Sequence, residues 1–363
     1  MAAKLLPIRT ARPGLLVLVP LLLTVLLTSC AGGGIPQSTA RPSSPPATSK
    51  GVLSGGQAQV PVPSRTAFMH PQSDYFGVST LSTPLKSETD AVAAAAGEHP
   101  TLLEYFVKWN QYFDPSTVQQ CYQQGALPVL TWEPSNGSSS VNQPQFALAK
   151  IADGSFDNYL VQFATAVRNE KWPVVIRFAQ EMNGAWSPWA AGNSGNKPSD
   201  YVLAWRHIHN VFSVVGATNV IWLWSPNVLR GTNGADLAPL YPGDAYVDWV
   251  GIDAYGFGEK TASQILDPTV AAIAKLTQKP ILIAETGSKP GPQQPGWTTD
   301  LFSWLRRNPE AIGFIWFQHS VAEGGRFDYR FTTDPKTLAA FRAGLASIRL
   351  HGWPVTTLPP AAG

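Results

Sequence analysis

The chain has 363 residues, 26 basic and 24 acidic side chains, and a formal net charge of +2. Lys4, Arg9 and Arg12 fall among the first 29 residues, which hold no acid, so the remainder is close to neutral. Such a body lacks the electrostatic footprint of a nucleic-acid binder, and neutral partners suit it better. Its two cysteines, Cys30 and Cys121, are too few for a disulfide framework, so the core must supply the stability.

In chain order, the basic start leads into an apolar run over 15–27, too short for a comfortable membrane span. It ends in Leu27-Thr28-Ser29-Cys30, a small-residue site beside a thiol. This resembles a bacterial lipobox. The resemblance implies a lipoprotein signal peptide over 1–29 and a lipid on Cys30. It implies a chain anchored to the cell membrane on its extracytoplasmic face. Residues 30–69 are rich in Gly, Pro, Ser and Thr, cannot bury enough surface to offset their ordering entropy, and read as a flexible tether. A domain over 70–352 and a flexible tail over 353–363 complete the layout. About 280 residues is a usual length for one α/β barrel.

Within that domain, short apolar and β-branched runs alternate with helical patterns, which predicts βα units and a parallel sheet. The runs are 75–80, 102–109, 127–133, 174–181, 220–225, 249–255, 281–285 and 312–318. Unbroken apolarity, as in Ile281-Leu282-Ile283-Ala284, suits strands covered on both faces. Asp114-Pro115 reads as a helix N-cap with proline at the first position, and Ser199 or Asp200 as the cap of a helix reaching Val215-Gly216. Asp334-Pro335 opens a last helix closing near Ile348. Cys121 lies in a helical stretch and reads as a buried small hydrophobe. Eight such units predict a single (β/α)8 TIM barrel. No Gly-rich phosphate loop follows the first run, which argues against an open doubly wound sheet.

In such a barrel chemistry sits at the C-terminal ends of the strands. Polar and aromatic residues gather there: Trp109, Trp132 and Glu133, Gln180 and Glu181, Trp224, Asp253 and Tyr255, Glu285, then Trp316, Gln318 and His319. Glu181 and Glu285 end apolar runs, where burial raises a carboxyl pKa and a purpose is expected. A retaining glycosidase needs two carboxyls about 5 Å apart, one to protonate the leaving oxygen and one to attack the anomeric carbon. Arg177, four residues before Glu181, is expected on the same strand face. It reads equally as support for a catalytic carboxylate or as a structural arginine in the barrel floor.

Pyranose rings pack on indole, and thirteen tryptophans is a high content for a chain of this length. Trp109, Trp132, Trp186, Trp189, Trp224 and Trp316 stand at or beyond strand ends, with Trp222 and Trp304 expected in the core. Gln180, Asn183, Trp109, Trp189 and His319 join the expected substrate contacts. His207 and His209, two apart on a helix, point away from each other and are not expected to bind metal. No spacing suits zinc or calcium, and no cofactor is expected.

The run Arg177-Phe178-Ala179-Gln180-Glu181-Met182-Asn183-Gly184-Ala185-Trp186-Ser187-Pro188-Trp189 resembles the acid/base motif of glycoside hydrolase family 26. Phe76-Gly77-Val78-Ser79, Trp222-Leu223-Trp224-Ser225-Pro226-Asn227, Gly251-Ile252-Asp253-Ala254-Tyr255 and Ala284-Glu285-Thr286-Gly287 extend the resemblance over the barrel. It implies Glu181 as acid/base, Glu285 as nucleophile, Tyr255 as a donor to the nucleophile, and Trp186 with Trp316 as the sugar platform. The family usually has histidine where Gln180 stands; glutamine donates hydrogen bonds but cannot carry charge.

These readings converge on a monomeric, retaining, endo-acting β-glycanase, with β-1,4-mannan as the substrate the resemblance implies. β-1,3-Xylan, mixed-linkage β-glucan and an envelope polysaccharide are the alternatives. A carbohydrate-binding lipoprotein without turnover is the rival of another class, and it has no need of two opposed carboxylates. The loops over 135–145 and 193–198 are expected to shape the subsites.

Overall fold

A computed structural model describes residues 62–229 and 236–353. The expected signal peptide, Cys30, most of the tether and the tail from 354 lie outside the described residues. After a short helix α1 (Thr66–Met69), the chain alternates β1 (Tyr75–Ser79), α2 (Lys86–Ala96), β2 (Leu102–Lys108), α3 (Pro115–Gln123) and β3 (Leu127–Glu133). Then come α4 (Leu148–Ala152), α5 (Asp157–Glu170), β4 (Val174–Phe178), α6 (Pro198–Val215), β5 (Val220–Trp224) and β6 (Trp249–Gly256). The last elements are α7 (Ala262–Ile273), β7 (Ile281–Ser288), α8 (Gln294–Arg307), β8 (Ala311–Phe317) and α9 (Pro335–Leu345).

The strands pair in parallel in sequence order, and β8 returns to β1, closing the expected (β/α)8 barrel. Every residue of β4 and β5 is buried, because helices cover one face and the barrel interior the other. Closure depends on Gly313 in β8. Its φ is +131°, and a Cβ there would stand 2.2 Å from the Tyr75 carbonyl oxygen, so only glycine lets β8 lie against β1.

Local chemistry sets the helix starts. Asp114 accepts from the Ser116 amide at 2.9 Å ahead of Pro115, and Asp334 accepts from the Thr337 amide at 2.8 Å. Helix α6 starts two or three residues earlier than expected, at Pro198, with Lys197 as N-cap. Asp200 reaches back to the Lys197 amide at 2.8 Å instead of capping the helix itself. Helix α9 stops at Leu345, short of Ile348. Between β5 and β6 the described residues hold only a 3-10 turn, Ala238–Leu240, where a long helix would complete the pattern. Cys121 is fully buried, and burial pushes its thiol well above the ordinary range, so it packs as a hydrophobe.

Two strand ends differ from expectation in ways that bear on function. Strand β4 stops at Phe178, three residues before Glu181, whereas β7 continues beyond Glu285 to Ser288.

Candidate active site

The floor of the site is a buried charge cluster built on Arg177. From β4 its guanidinium reaches Glu104 of β2 (Nη1 to Oε1, 2.7 Å) and Glu285 of β7 (Nη1 to Oε2, 3.1 Å), and its Nη2 pairs with Asp253 of β6. The Thr131 hydroxyl donates to Glu104 at 2.6 Å, and the Ser225 hydroxyl to Asp253 at 2.7 Å. One cation thus faces three carboxylates. Burial, only partly offset by Arg177, lifts the Glu104 carboxyl to about 7, so it is partly protonated near neutrality, which eases the excess negative charge.

Glu285 receives a donor on each oxygen: the Tyr255 hydroxyl on Oε1 at 2.5 Å and Arg177 on Oε2 at 3.1 Å. Burial and the adjacent Glu285 push the Tyr255 phenol well above its usual range, so it stays a donor. Two fixed donors orient the carboxylate as a nucleophile requires.

Glu181 is aimed by a backbone kink and not by strand alternation from Arg177. Ala179 and Glu181 have φ of +48° and +55°, a left-handed conformation that costs a non-glycine residue roughly 1 kcal/mol or more. Two hydrogen bonds hold it, Ala179 N to Trp132 O at 3.0 Å and Glu181 N to Ser225 O at 2.8 Å. The Glu181 carboxylate accepts from Trp186 Nε1 at 2.5 Å and from Asn227 Nδ2. Asn183 clamps Asn227 in turn, accepting from its amide and donating to its carbonyl, both at 2.8 Å. Burial, and next the charge of Glu285, raise the Glu181 carboxyl to about 7, against the Asn227 and Trp186 bonds and the more distant Arg177. This is the range for a group that must both give and take a proton near neutrality.

Between the two glutamates opens a cleft of about 650 Å³, walled by Trp186, Phe257, Phe317 and Tyr329. Trp186 is 47% exposed, and its ring lies over Gly184, where a Cβ would come within 2.5 Å of the indole.

Other expected contacts lie elsewhere. Trp316 is fully buried on the outer face of β8, packed against Phe331 and Phe341, with its Nε1 donating to Tyr329 O at 2.9 Å. It cannot be a sugar platform; alternation along β8 gives that wall to Phe317. Trp109 is buried among Trp132, Phe156, Tyr159 and Phe178. Trp189 is buried and donates to Gln180 O at 2.7 Å, bracing the loop that carries Trp186. Both are structural, because large rings at strand ends fill core volume as readily as they face a cleft. His319 is buried behind the Phe317 ring, stacked at 4.0 Å, with Nε2 3.0 Å from Ser79 Oγ. Burial lowers its pKa, so it supports the wall as a neutral ring. Gln180 is buried and donates to Glu133 Oε1 at 2.9 Å, while Lys108 pairs with the other oxygen of Glu133 at 2.7 Å.

The expected contacts did not include Asn227, Glu104, Phe257, Phe317 or Tyr329. Asn227 lies in a quoted motif and Phe317 is one position from Trp316, so both had a signal in the sequence. Tyr329 comes from the loop after β8, where nothing marked it. Among the described residues no cluster could hold a metal ion; the acidic cluster is organised by Arg177.

The family model for glycosyl hydrolase family 26 matches residues 134–291, a span containing both Glu181 and Glu285. The chain is 28% identical over 278 residues to endoglucanase H of Acetivibrio thermocellus, covering 73% of this chain but 29% of that protein. It is 25% identical over 304 residues to a mannan endo-1,4-beta-mannosidase of Bacillus subtilis, covering 72% of this chain and 78% of that one. The chain therefore spans less than a third of the first relative and more than three quarters of the second. Among solved structures, the YdhT protein from Bacillus subtilis matches with a TM-score of 0.60 at 20% identity, over 83% of this chain and 94% of that one, a likeness of fold.

Proposed function

We propose that this chain, a member of glycosyl hydrolase family 26, is a retaining β-glycosidase in which Glu181 is the acid/base and Glu285 the nucleophile. The observation that carries this reading is the asymmetry of two glutamates lining one cleft. Glu285 is fixed by two donors, while Glu181 is raised to about 7 beside it. Glu285 attacks the anomeric carbon as Glu181 protonates the departing glycosidic oxygen, and a covalent glycosyl ester forms. Esterification removes the Glu285 charge that had helped raise Glu181. Its pKa then falls, and Glu181 can take a proton from the water that hydrolyses the ester. Trp186 stacks on the sugar and holds the Glu181 carboxylate through the same indole.

The proposed substrate is a β-1,4-linked mannan cut internally, supported by the mannosidase relative that this chain matches over most of its length. A β-glucan is the second reading, supported by the likeness to endoglucanase H, while Gln180 at the family's histidine position weighs against a standard mannanase. The Leu27-Thr28-Ser29-Cys30 run supports a lipid anchor outside the cytoplasmic membrane, which radiolabelled palmitate incorporation lost in Cys30→Ser would verify.

Reducing-end release from mannan, mixed-linkage glucan and xylan tests the activity. In Glu285→Gly with azide, the expected product is the glycosyl azide of inverted configuration. In Glu181→Ala with azide, it is the azide of retained configuration. Exchange of those two outcomes would reverse the assignment, and no release from any polymer by the native chain would overturn it.

A further inference from the structure

Arg326, in the loop after β8, lines the same cleft as Glu181 and Glu285. Its guanidinium lies 5.9 Å from the ring centre of Phe257 and 5.5 Å from that of Phe327. Lys289, just past the end of β7, holds its ammonium 5.1 Å from the same Phe327 ring. Other basic groups at the strand ends are neutralised: Arg177 by three carboxylates, Lys108 by Glu133, Arg330 by Asp328. Among the described residues neither Arg326 nor Lys289 has a carboxylate within ion-pair reach. The residues outside the description contain no Asp or Glu that could supply one.

Two cations on one aromatic ring form a local positive excess in a chain whose charges otherwise balance. Ring faces hold both cations near Phe327 and leave the guanidinium N–H groups free to donate. Reading the hydroxyls of a neutral glycan requires no such charge, since amides and carboxylates do it equally well.

We propose that this rim recognises a carboxylate on the substrate: the glycan carries uronosyl or other carboxylate-bearing residues within reach of the cleaved bond. Arg326 receives the carboxylate through its two-pronged donor edge, and Lys289 adds attraction from beside it. The proposal rests on the glycosidase reading above and narrows its substrate class. The Phe257 and Phe327 rings pre-order the Arg326 side chain and reduce the ordering cost of binding.

The test uses the full chain and three forms of one β-mannan: neutral, partly oxidised to carboxylate at C6, and partly sulfated. The expected result is a native kcat/KM ratio of carboxylated to neutral polymer that falls about tenfold in Arg326→Gln and severalfold in Lys289→Gln. The native preference should also weaken as salt rises. A ratio that neither variant changes overturns the proposal, as does an equal fall for the sulfated polymer, which would mark a general anion site. Retention of a Glu181→Gln, Glu285→Gln double variant on gels of the three polymers separates the two readings. If the native chain cuts none of them, the glycosidase reading falls. Retention by the carboxylated gel that is lost on adding Arg326→Gln still upholds the rim, and its absence overturns it.

Discussion

Arg177 and Glu285 meet with Nη1 3.1 Å from Oε2, although they lie 108 residues apart on β4 and β7. The contact joins the barrel floor to the cleft, because the same guanidinium also holds Glu104 and Asp253. A buried cation with three acidic partners is a point where loss of one group leaves several uncompensated.

Arg177→Met is therefore expected to abolish turnover and to destabilise the chain by about 3–5 kcal/mol, read by denaturant unfolding. Glu104→Gln should be far milder below pH 7, because the Glu104 carboxyl, raised to about 7, already carries a proton there. Equal losses for the two variants at pH 6 would contradict this account of the cluster.

The pH dependence follows from Glu181. In the proposed acid/base role its carboxyl is protonated to release the leaving group, so kcat/KM is expected to fall about tenfold per pH unit above about 7. Asn227 donates to the charged form and lowers that pKa. Asn227→Ala should move the alkaline limb to higher pH while lowering the maximum rate, since the carboxyl also loses its aim. Movement of the limb to lower pH would contradict the assigned hydrogen bond.

Stability carries the same signature with the opposite consequence. A folded-state carboxyl pKa raised from 4.5 to about 7 means that the charged form is disfavoured in the fold. Native stability is then lost progressively as pH rises between those values. Glu181→Gln removes the charge, so it should raise Tm by a few degrees at pH 8 and hardly at all at pH 5. Thermal melts of the two proteins at both pH values check this; a gain confined to pH 5 would invert the argument.

The tryptophans separate cleft from core. Trp186→Ala is expected to cut kcat/KM about a hundredfold, losing both the stacking face and the bond to Glu181. Gly184→Ala should have a smaller effect of the same kind, by forcing the indole off its seat. Trp316→Phe and Trp109→Phe should lower Tm by several degrees and leave KM for the polymer unaltered, because neither ring reaches the cleft. A KM change in Trp316→Phe as large as that in Trp186→Ala would restore it as a platform.

Several features were legible in the amino-acid order alone, because each depends on chemistry within a few residues. Apolar runs separated by capped helices specified strands buried on both faces, and Asp114-Pro115 and Asp334-Pro335 placed helix starts. Glu181 and Glu285 stood out as acids at the close of apolar runs. Tertiary structure decided what depends on contacts distant in sequence. It turned Arg177 from an ambiguous buried cation into the partner of Glu104, Asp253 and Glu285, each from a different strand. It made Asn183 the clamp of Asn227, 44 residues away, and Asn227 the support of Glu181. It also assigned the wall to Phe317 and sent Trp316 outward. In a strand a one-residue difference in parity reverses the face, and only the register of a closed barrel fixes that parity.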